Sequence, residues 1–401
     1  MSGSDQKSPV FLFLQGPLSS FYSQIADHLI QNGAIVHKIN FCGNDIMDWR
    51  HKGALTYRGT LEDWPSYLTE TATQLGVTHL LMHGDRRPYH KPAVEWAAEN
   101  GITVYVTELG YLRPDWITIE PWGTSTLSHF PKDPTVISKI AKDLPSFDRS
   151  RKYPDSIWAI IHQEIRWTVF NLIFKWKFPH FQTHRSQSPW IVYSGWLLSK
   201  LRAVFFKRIT VRMLPSDVPF YVMALQLEGD FQLRDHSPFN SMAEGVEHVV
   251  ASFAKYAPNN AQLVLKTHPH EFNGRQLRRK VEKILTDYNV SPRVSMIENV
   301  PIGELCAKAA GFVTVNSSAG FEALDVGCPT CTITPTIYDI DGITHQGHIN
   351  EFWQGASPPS LKLLENLRRA LTDTIQVRGT LYDKMGKRAG AHAVATVLEK
   401  I

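Results

Sequence analysis

Short apolar runs alternate along most of this chain with segments of helical periodicity, and that alternation restricts the fold more than any other feature. Residues 10–14 read as a buried strand, followed by the turn Gln15-Gly16-Pro17. Ser19 or Ser20 caps a helix running to Gln31, Gly33 stops it, and residues 35–41 form the next strand. The unit recurs as strand 78–82, helix 92–100, the stop Gly101 and strand 102–107. From residue 216 the alternation resumes, with strands at 219–227, 262–266, 293–297 and 311–315 and helices at 241–256, 274–288, 302–309 and 319–326. Strands and helices in alternation imply a mostly parallel sheet covered on both faces. The expectation is an α/β chain of two doubly wound domains, at 1–150 and 216–359, joined by residues 151–215 and ending in a helical tail at 360–401. A length of 401 residues suits two domains. Ligands of such sheets bind beyond the C-terminal ends of the strands.

Composition removes several classes. With 43% hydrophobic and 20% charged residues the chain is neither disordered nor fibrous. No apolar stretch approaches the ~18 to 20 residues of a membrane span. Residues 1–9 are polar and lack the basic and apolar regions of a signal peptide, and four cysteines are too few for a disulfide framework, so a cytosolic protein is expected.

The net charge of +4 is unevenly spread: residues 151–212 hold eleven Lys or Arg against only Asp155 and Glu164. The same window carries Trp158, Trp167, Trp176, Trp190 and Trp196, with Phe170, Phe174, Phe178, Phe181, Phe205 and Phe206. Ile161, Ile165, Thr168, Leu172 and Trp176 recur at helical spacing beside Lys175 and Lys177. Basic residues interleaved with aromatics suit the headgroup region of an anionic membrane. A linker whose aromatics pack between domains is the competing reading. A nucleic-acid patch is disfavoured because no recognised module accompanies it.

Three motifs in the second half follow predicted strands. In Gln226-Leu-Glu228-Gly-Asp230-Phe-Gln232, a strand that continued would place Gln226, Glu228, Asp230 and Gln232 on one face. Two neighbouring carboxylates suit a site where one attacks or abstracts while the other tunes it; a solvated strand exit is the plainer alternative. Lys266-Thr-His268-Pro269 presents a cation and an imidazole where a phosphate can be held, Pro269 ending the strand. Asn316-Ser317-Ser318 leads from a strand into a helix, a phosphate-site pattern that is also an ordinary helix cap, and Glu322 lies one turn further on. Neither a Walker A motif nor a Gly-x-Gly-x-x-Gly run occurs here, so a metal-bridged diphosphate is not expected. In the first half, His83-Gly-Asp85-Arg86-Arg87-Pro-Tyr-His90 and Glu108-Leu-Gly110-Tyr111-Leu-Arg113 are loops at strand ends. Their arginines suit an anionic partner or a surface ion-pair network. Cys328 and Cys331 have no second ligand pair at zinc-like spacing and read as buried strand cysteines, so no metal site is expected.

Taken in order, Leu14-Gln15-Gly16-Pro17, His83-Gly-Asp85-Arg86, Gly110 to Glu120, Gln226-Leu-Glu228-Gly-Asp230, His268-Pro269 and Asn316-Ser317-Ser318 resemble the capsule polysaccharide biosynthesis/export family. The likeness is to its single-module β-Kdo transferases. The resemblance implies a GT-B-like pair of Rossmann-like domains, CMP-β-Kdo as donor with no further cofactor, retention at the anomeric carbon, and a phosphatidylglycerol-type lipid acceptor. It also implies a place at the cytoplasmic face of the inner membrane, with a second capsular Kdo transferase as a partner and no nucleic acid. By the same resemblance Asp230 is the catalytic carboxylate, supported by Glu228, and Gln226, Lys266, His268, Ser317, Ser318 and Glu322 bind the donor. The acceptor contacts fall on Asp85, Arg86, His90, Glu108 and Arg113. The chain departs from the pattern at Leu109, where a second Glu is expected.

Overall fold

Val10–Phe13 is buried at every position, as a strand covered on both faces requires, and it lies inside a seven-stranded sheet. The computed structural model describes residues 8–154, 157–183, 218–228, 231–268, 274–298 and 300–400. Its elements run β1 (Val10–Phe13), α1 (Phe21–Gln31), β2 (Ile35–Asn40), α2 (Gly43–Asp48), β3 (Leu55–Thr56), α3 (Trp64–Leu75), β4 (His79–His83), α4 (His90–Glu99), β5 (Thr103–Leu109) and β6 (Trp116–Pro121). There follow α5 (Pro134–Ile140), α6 (Ile157–Ile173), β7 (Phe220–Ala224), α7 (Phe231–Arg234), α8 (Met242–Tyr256), β8 (Gln262–Lys266), α9 (Gly274–Asp287) and β9 (Val294–Ile297). The last are α10 (Ile302–Cys306), β10 (Gly311–Thr314), α11 (Gly320–Asp325), β11 (Thr330–Thr332), α12 (Ile349–Gly355), α13 (Leu361–Thr374), β12 (Gln376–Arg378) and α14 (Lys384–Glu399).

These elements form two units: Met1–Phe130 with Phe147–His184 and Leu371–Ile401, and Pro131–Ser146 with Arg185–Ala370. Both are Rossmann-like, as expected from the alternation. The first sheet has the order β12-β6-β5-β4-β1-β2-β3, parallel from β5 to β3, with β6 and β12 antiparallel at one edge. The second, β11-β10-β7-β8-β9, is parallel throughout. Side-chain alternation along β1 sends Phe11 and Phe13 into a cluster with Phe21 and Ile25 of α1 and Ala391 and Val394 of α14. Leu12 faces the opposite cluster with Trp64 of α3 and Ala93 of α4. In β7, Tyr221 and Met223 face Val246 and Phe253 of α8, while Phe220 and Val222 face Ile302 and Leu305 of α10.

Residues 360–401, read from the sequence as a helical tail, carry the chain out of the second unit along α13 and back into the first sheet as β12 and α14. The strand expected at 219–227 ends at Ala224, and Phe231–Arg234 is helical, so the one-face arrangement of Gln226, Glu228, Asp230 and Gln232 does not hold. The ladder stops because the Gln226 N–H donates to Met242 Sδ (3.2 Å) instead of to a neighbouring strand. All four cysteines are free and buried.

Candidate functional site

Each sheet reverses its strand order at one place, between β1 and β4 in the first unit and between β7 and β10 in the second. Loops leaving adjacent strands at such a reversal diverge to opposite faces and open a crevice, where ligands of open α/β sheets bind.

In the second unit the loops after β7 and β10 are joined by a buried amide pair. Gln226 Nε2 donates to Asn316 Oδ1 (2.9 Å), and the Asn316 N–H donates back to Gln226 Oε1 (3.3 Å). Asn316 Nδ2 also donates to the His236 carbonyl (3.1 Å), so its side chain ties three segments together. Glu228 Oε2 accepts the Met242 N–H (2.9 Å) at the start of α8, where the helix dipole favours a carboxylate. Lys266, buried at the end of β8, donates to the Thr267 carbonyl (3.3 Å). Desolvation lowers the pKa of its ammonium, an effect opposed by Glu322; desolvation raises the Glu322 carboxyl, and Lys266 opposes that in turn. A half-dry cation facing a carboxylate is an arrangement that an incoming anion perturbs strongly.

The turn after β10 is fixed before its short helix begins. Ser317 N–H donates to Thr314 Oγ1 (3.1 Å), Ser317 Oγ accepts the Ala319 N–H (3.2 Å), and the Ser318 carbonyl accepts the Phe321 N–H (3.1 Å). Tyr338, fully buried, donates its hydroxyl to the Ser317 carbonyl and stacks edge-on against Phe321. His268 is half-buried two residues beyond β8. Asp230 and Pro269 lie outside the described residues.

In the first unit the loops after β1 and β4 are joined by Arg87, whose Nη1 donates to the Gly16 carbonyl (3.0 Å). Burial lowers the Arg87 pKa, and Glu108 is the foremost of the groups opposing that change. Lys38, also buried, donates to the Leu14 and Ile39 carbonyls (3.1 and 2.7 Å) with Asp45 at 3.8 Å. His83 Nδ1 meets Thr107 Oγ1 at 3.1 Å, and its Nε2 lies 3.8 Å from Glu108 Oε1. Burial first, and then Arg87, hold the His83 and His90 pKa values well below the ordinary range, so the His83–Glu108 contact is not an ion pair at neutral pH. His90 Nδ1 lies 2.6 Å from the Gly84 carbonyl, while its Nε2 and the Arg86 Nε are buried without a hydrogen-bond partner. Of the other expected acceptor residues, Asp85 Oδ2 accepts the Thr124 N–H (3.0 Å), and Arg113 is exposed before a cis proline.

Residues 78–382, which span β4, both switch-point loops of the second unit and β12, match the family described as Capsule polysaccharide biosynthesis protein. The chain belongs to this family. As a capsule polysaccharide biosynthesis protein it is 32% identical over 377 residues to the capsule polysaccharide export protein KpsS of Escherichia coli, covering 93% of this chain and 96% of that one. It is 28% identical over 387 residues to the capsule polysaccharide modification protein LipB of Neisseria meningitidis serogroup B, covering 93% and 92%. Among solved structures it resembles Thermosulfurimonas dismutans KpsC, beta Kdo 2,7 transferase, at a TM-score of 0.46 and 15% identity over 98% of this chain and 99% of that one.

In this capsule biosynthesis protein the structure brings together Gln226, Lys266, Ser317 and Glu322 around the second switch point, and Arg86, His90 and Glu108 around the first. Sequence reasoning placed Asn316 in a phosphate-site or cap pattern without giving its side chain a role, named Arg87 only as one of the loop arginines, and left out Lys38. The signal for Asn316 was its place directly after a strand at the reversal of strand order, which only the topology exposes.

The buried histidines set a pH expectation. Because their folded-state pKa values lie below the unfolded value of about 6.5, the unfolded chain binds more protons as pH falls through that value. Their contribution is therefore intact above about pH 6.5 and is lost below it, by up to about 1.4 kcal/mol per pH unit for each ring. Melting temperature followed from pH 7.5 to 5 is expected to fall less steeply in His90→Gln than in the parent; parallel curves would remove His90 from this account.

Proposed function

We propose that this chain is a retaining β-Kdo glycosyltransferase that moves Kdo from CMP-β-Kdo to a phosphatidylglycerol-type lipid acceptor at the cytoplasmic face of the inner membrane, beginning the linker of a capsule polysaccharide. The observation that carries the reading is the second switch point. A buried Gln226–Asn316 pair joins the loops after β7 and β10, and at the end of the neighbouring β8 Lys266 is desolvated, with the Glu322 charge opposing the effect on its pKa. Of these, Gln226, Lys266 and Glu322 are positions the family resemblance gives to donor binding, while Asn316 is added by the geometry.

The chemistry asks for such a site. The anomeric carbon of Kdo is quaternary and bears a carboxylate, so departure of CMP leaves an oxocarbenium-like centre while negative charge grows on the phosphate. A fixed cation in a dry crevice stabilises that charge without reorganising. In the first step the bond from C2 to the phosphate oxygen breaks, its electron pair leaving with CMP, and an Asp230 carboxylate oxygen bonds to C2. In the second the acceptor hydroxyl oxygen bonds to C2, the bond from C2 to the carboxylate oxygen breaks with its electron pair returning to Asp230, and the hydroxyl proton passes to water. Two inversions return the original configuration. Gln226 and Glu228, which precede Asp230 in the chain, are fixed to neighbouring segments. On the acceptor side the unpaired Arg86 Nε–H is a donor suited to a phosphodiester, whereas His90 Nε2, left as an acceptor because Nδ1 donates to the Gly84 carbonyl, suits a lipid hydroxyl; Asp85 holds the loop after β6. Arg113 is kept as an exposed acceptor contact.

A second reading rests on the curated name of the E. coli relative, an export protein. There the chain binds a finished glycolipid and performs no transfer. Incubating the protein with CMP-Kdo and a lyso-phosphatidylglycerol acceptor separates the two. A product heavier by one or more β-linked Kdo units, with matching CMP release, is expected. An α-linked product, or a preference for another CMP-sugar, would refute the assigned donor chemistry; lipid binding with no CMP release would favour the second reading.

A further inference from the structure

The basic aromatic segment that the sequence leaves open between packing and membrane docking is divided by α6 into two opposite faces. On the inward face Trp167 is buried, Arg166 pairs with Asp48 of α2, and Asn171 Oδ1 accepts the Asn44 N–H (3.2 Å). Gly43 permits the closest approach: a Cβ there would lie 2.2 Å from the Phe170 carbonyl oxygen and 2.9 Å from Phe174 Cβ. On the outward face Trp158, His162, Ile165, Val169, Leu172 and Trp176 follow one another at alternating steps of four and three residues, a single stripe. Its five apolar members and the neighbouring Ile173 are between 44% and 73% exposed. Scattered apolar residues on a surface are ordinary; a continuous stripe of them is not.

Charge identifies the occupant. The stripe contains no carboxylate and ends in the turn Lys175–Lys177. The Lys177 ammonium lies 5.4 Å from the Trp176 ring centroid and 5.7 Å from that of Phe174. Lysines beside exposed tryptophan at the end of an apolar face complement the phosphates and glycerol level of an anionic bilayer. None of the described helices is long and apolar enough to cross a membrane, so such a helix lies in the plane of the interface. The first unit is braced behind it. Through α2, the Asp45 carboxylate accepts the Phe41 N–H (2.9 Å) and faces Lys38, which holds the Leu14 carbonyl at the first switch point.

We propose that the outward stripe of α6, with Lys175 and Lys177, is a monotopic docking surface for an anionic bilayer, seating the first unit's crevice at the level of lipid headgroups. This surface stands apart from the transferase reading, so vesicle binding and sugar transfer are measured separately and one can fail without the other. The full-length protein is sedimented with vesicles of phosphatidylethanolamine and phosphatidylglycerol, and with vesicles of phosphatidylcholine alone. Binding to the first that weakens as salt rises is expected, with little binding to the second. Leu172→Ser and Trp176→Ser are each expected to lower partitioning at least about tenfold, since each removes a large side chain from the acyl boundary. In the parent, bromolipids are expected to quench tryptophan emission, and Trp158→Phe with Trp176→Phe to remove that quenching while binding persists. Absence of vesicle binding, full binding by both serine variants, or quenching that survives both phenylalanine changes would each overturn the proposal. So would a vesicle-free dimer dissolved by the serine variants, which would make a second copy the occupant.

Discussion

Asp230→Ala is expected to lower Kdo transfer by about a thousandfold or more while CMP still binds, because removing a nucleophile abolishes the adduct route and leaves only what the crevice supplies. Asp230→Asn is expected to behave alike, since the amide keeps the shape but not the attacking oxygen. Glu228→Gln supplies the contrast. Glu228 Oε2 accepts the Met242 N–H, and a glutamine oxygen can accept the same bond, so a loss within about tenfold is expected there. Single-turnover transfer and CMP titration on the three variants check the set. Near-parental transfer in Asp230→Ala would take this residue out of the mechanism and leave front-face attack.

Gly320→Ala is expected to cost about 3 kcal/mol of stability in the second unit, a large effect for one methyl group. A Cβ at Gly320 would lie 2.1 Å from the Tyr338 hydroxyl and 2.4 Å from its Cζ, and Tyr338 is itself buried and hydrogen-bonded to the Ser317 carbonyl. The ring has nowhere to go without giving up that bond, so the turn carrying Ser317 and Ser318 loosens as well. Two results are expected together: an earlier urea midpoint and weaker CMP binding. In the double variant Gly320→Ala with Tyr338→Ala the costs should fall short of the sum, because the second change removes what the first collides with. Strict additivity would mean that the strain lies elsewhere.

The strands that the sequence announced are those whose apolar runs are bounded by glycine or turn residues, such as β1, β2, β8 and β10. β6 was hidden because Arg113-Pro114-Asp115 in front of it reads as a polar loop. β12 was hidden because three residues carry no period, and its place comes from bonds such as Gln376 Nε2 to Thr118 Oγ1 (2.7 Å), 258 residues away. The site shows the same division. Lys266 and Ser317 were legible from their positions at strand ends, whereas Asn316 acquires its role only when β7 and β10 become neighbours. The face of α6 was legible only in part: Ile165, Leu172 and Trp176 stood out at helical spacing, but Trp167 and Trp176 are the same residue type, and contact with α2 decides which one is buried.

The return of residues 371–401 to the first unit bears on how the protein is made. β12 completes the edge of a sheet begun by residue 10, and α14 covers Phe11, Phe13 and Phe21. During synthesis the face that α1 and α14 share is only partly covered until α14 has left the ribosome, so its maturation waits on translation through residue 399. A shortened version ending near residue 359 is expected to keep the residues of the second unit's crevice and yet be aggregation-prone at its amino-terminal half.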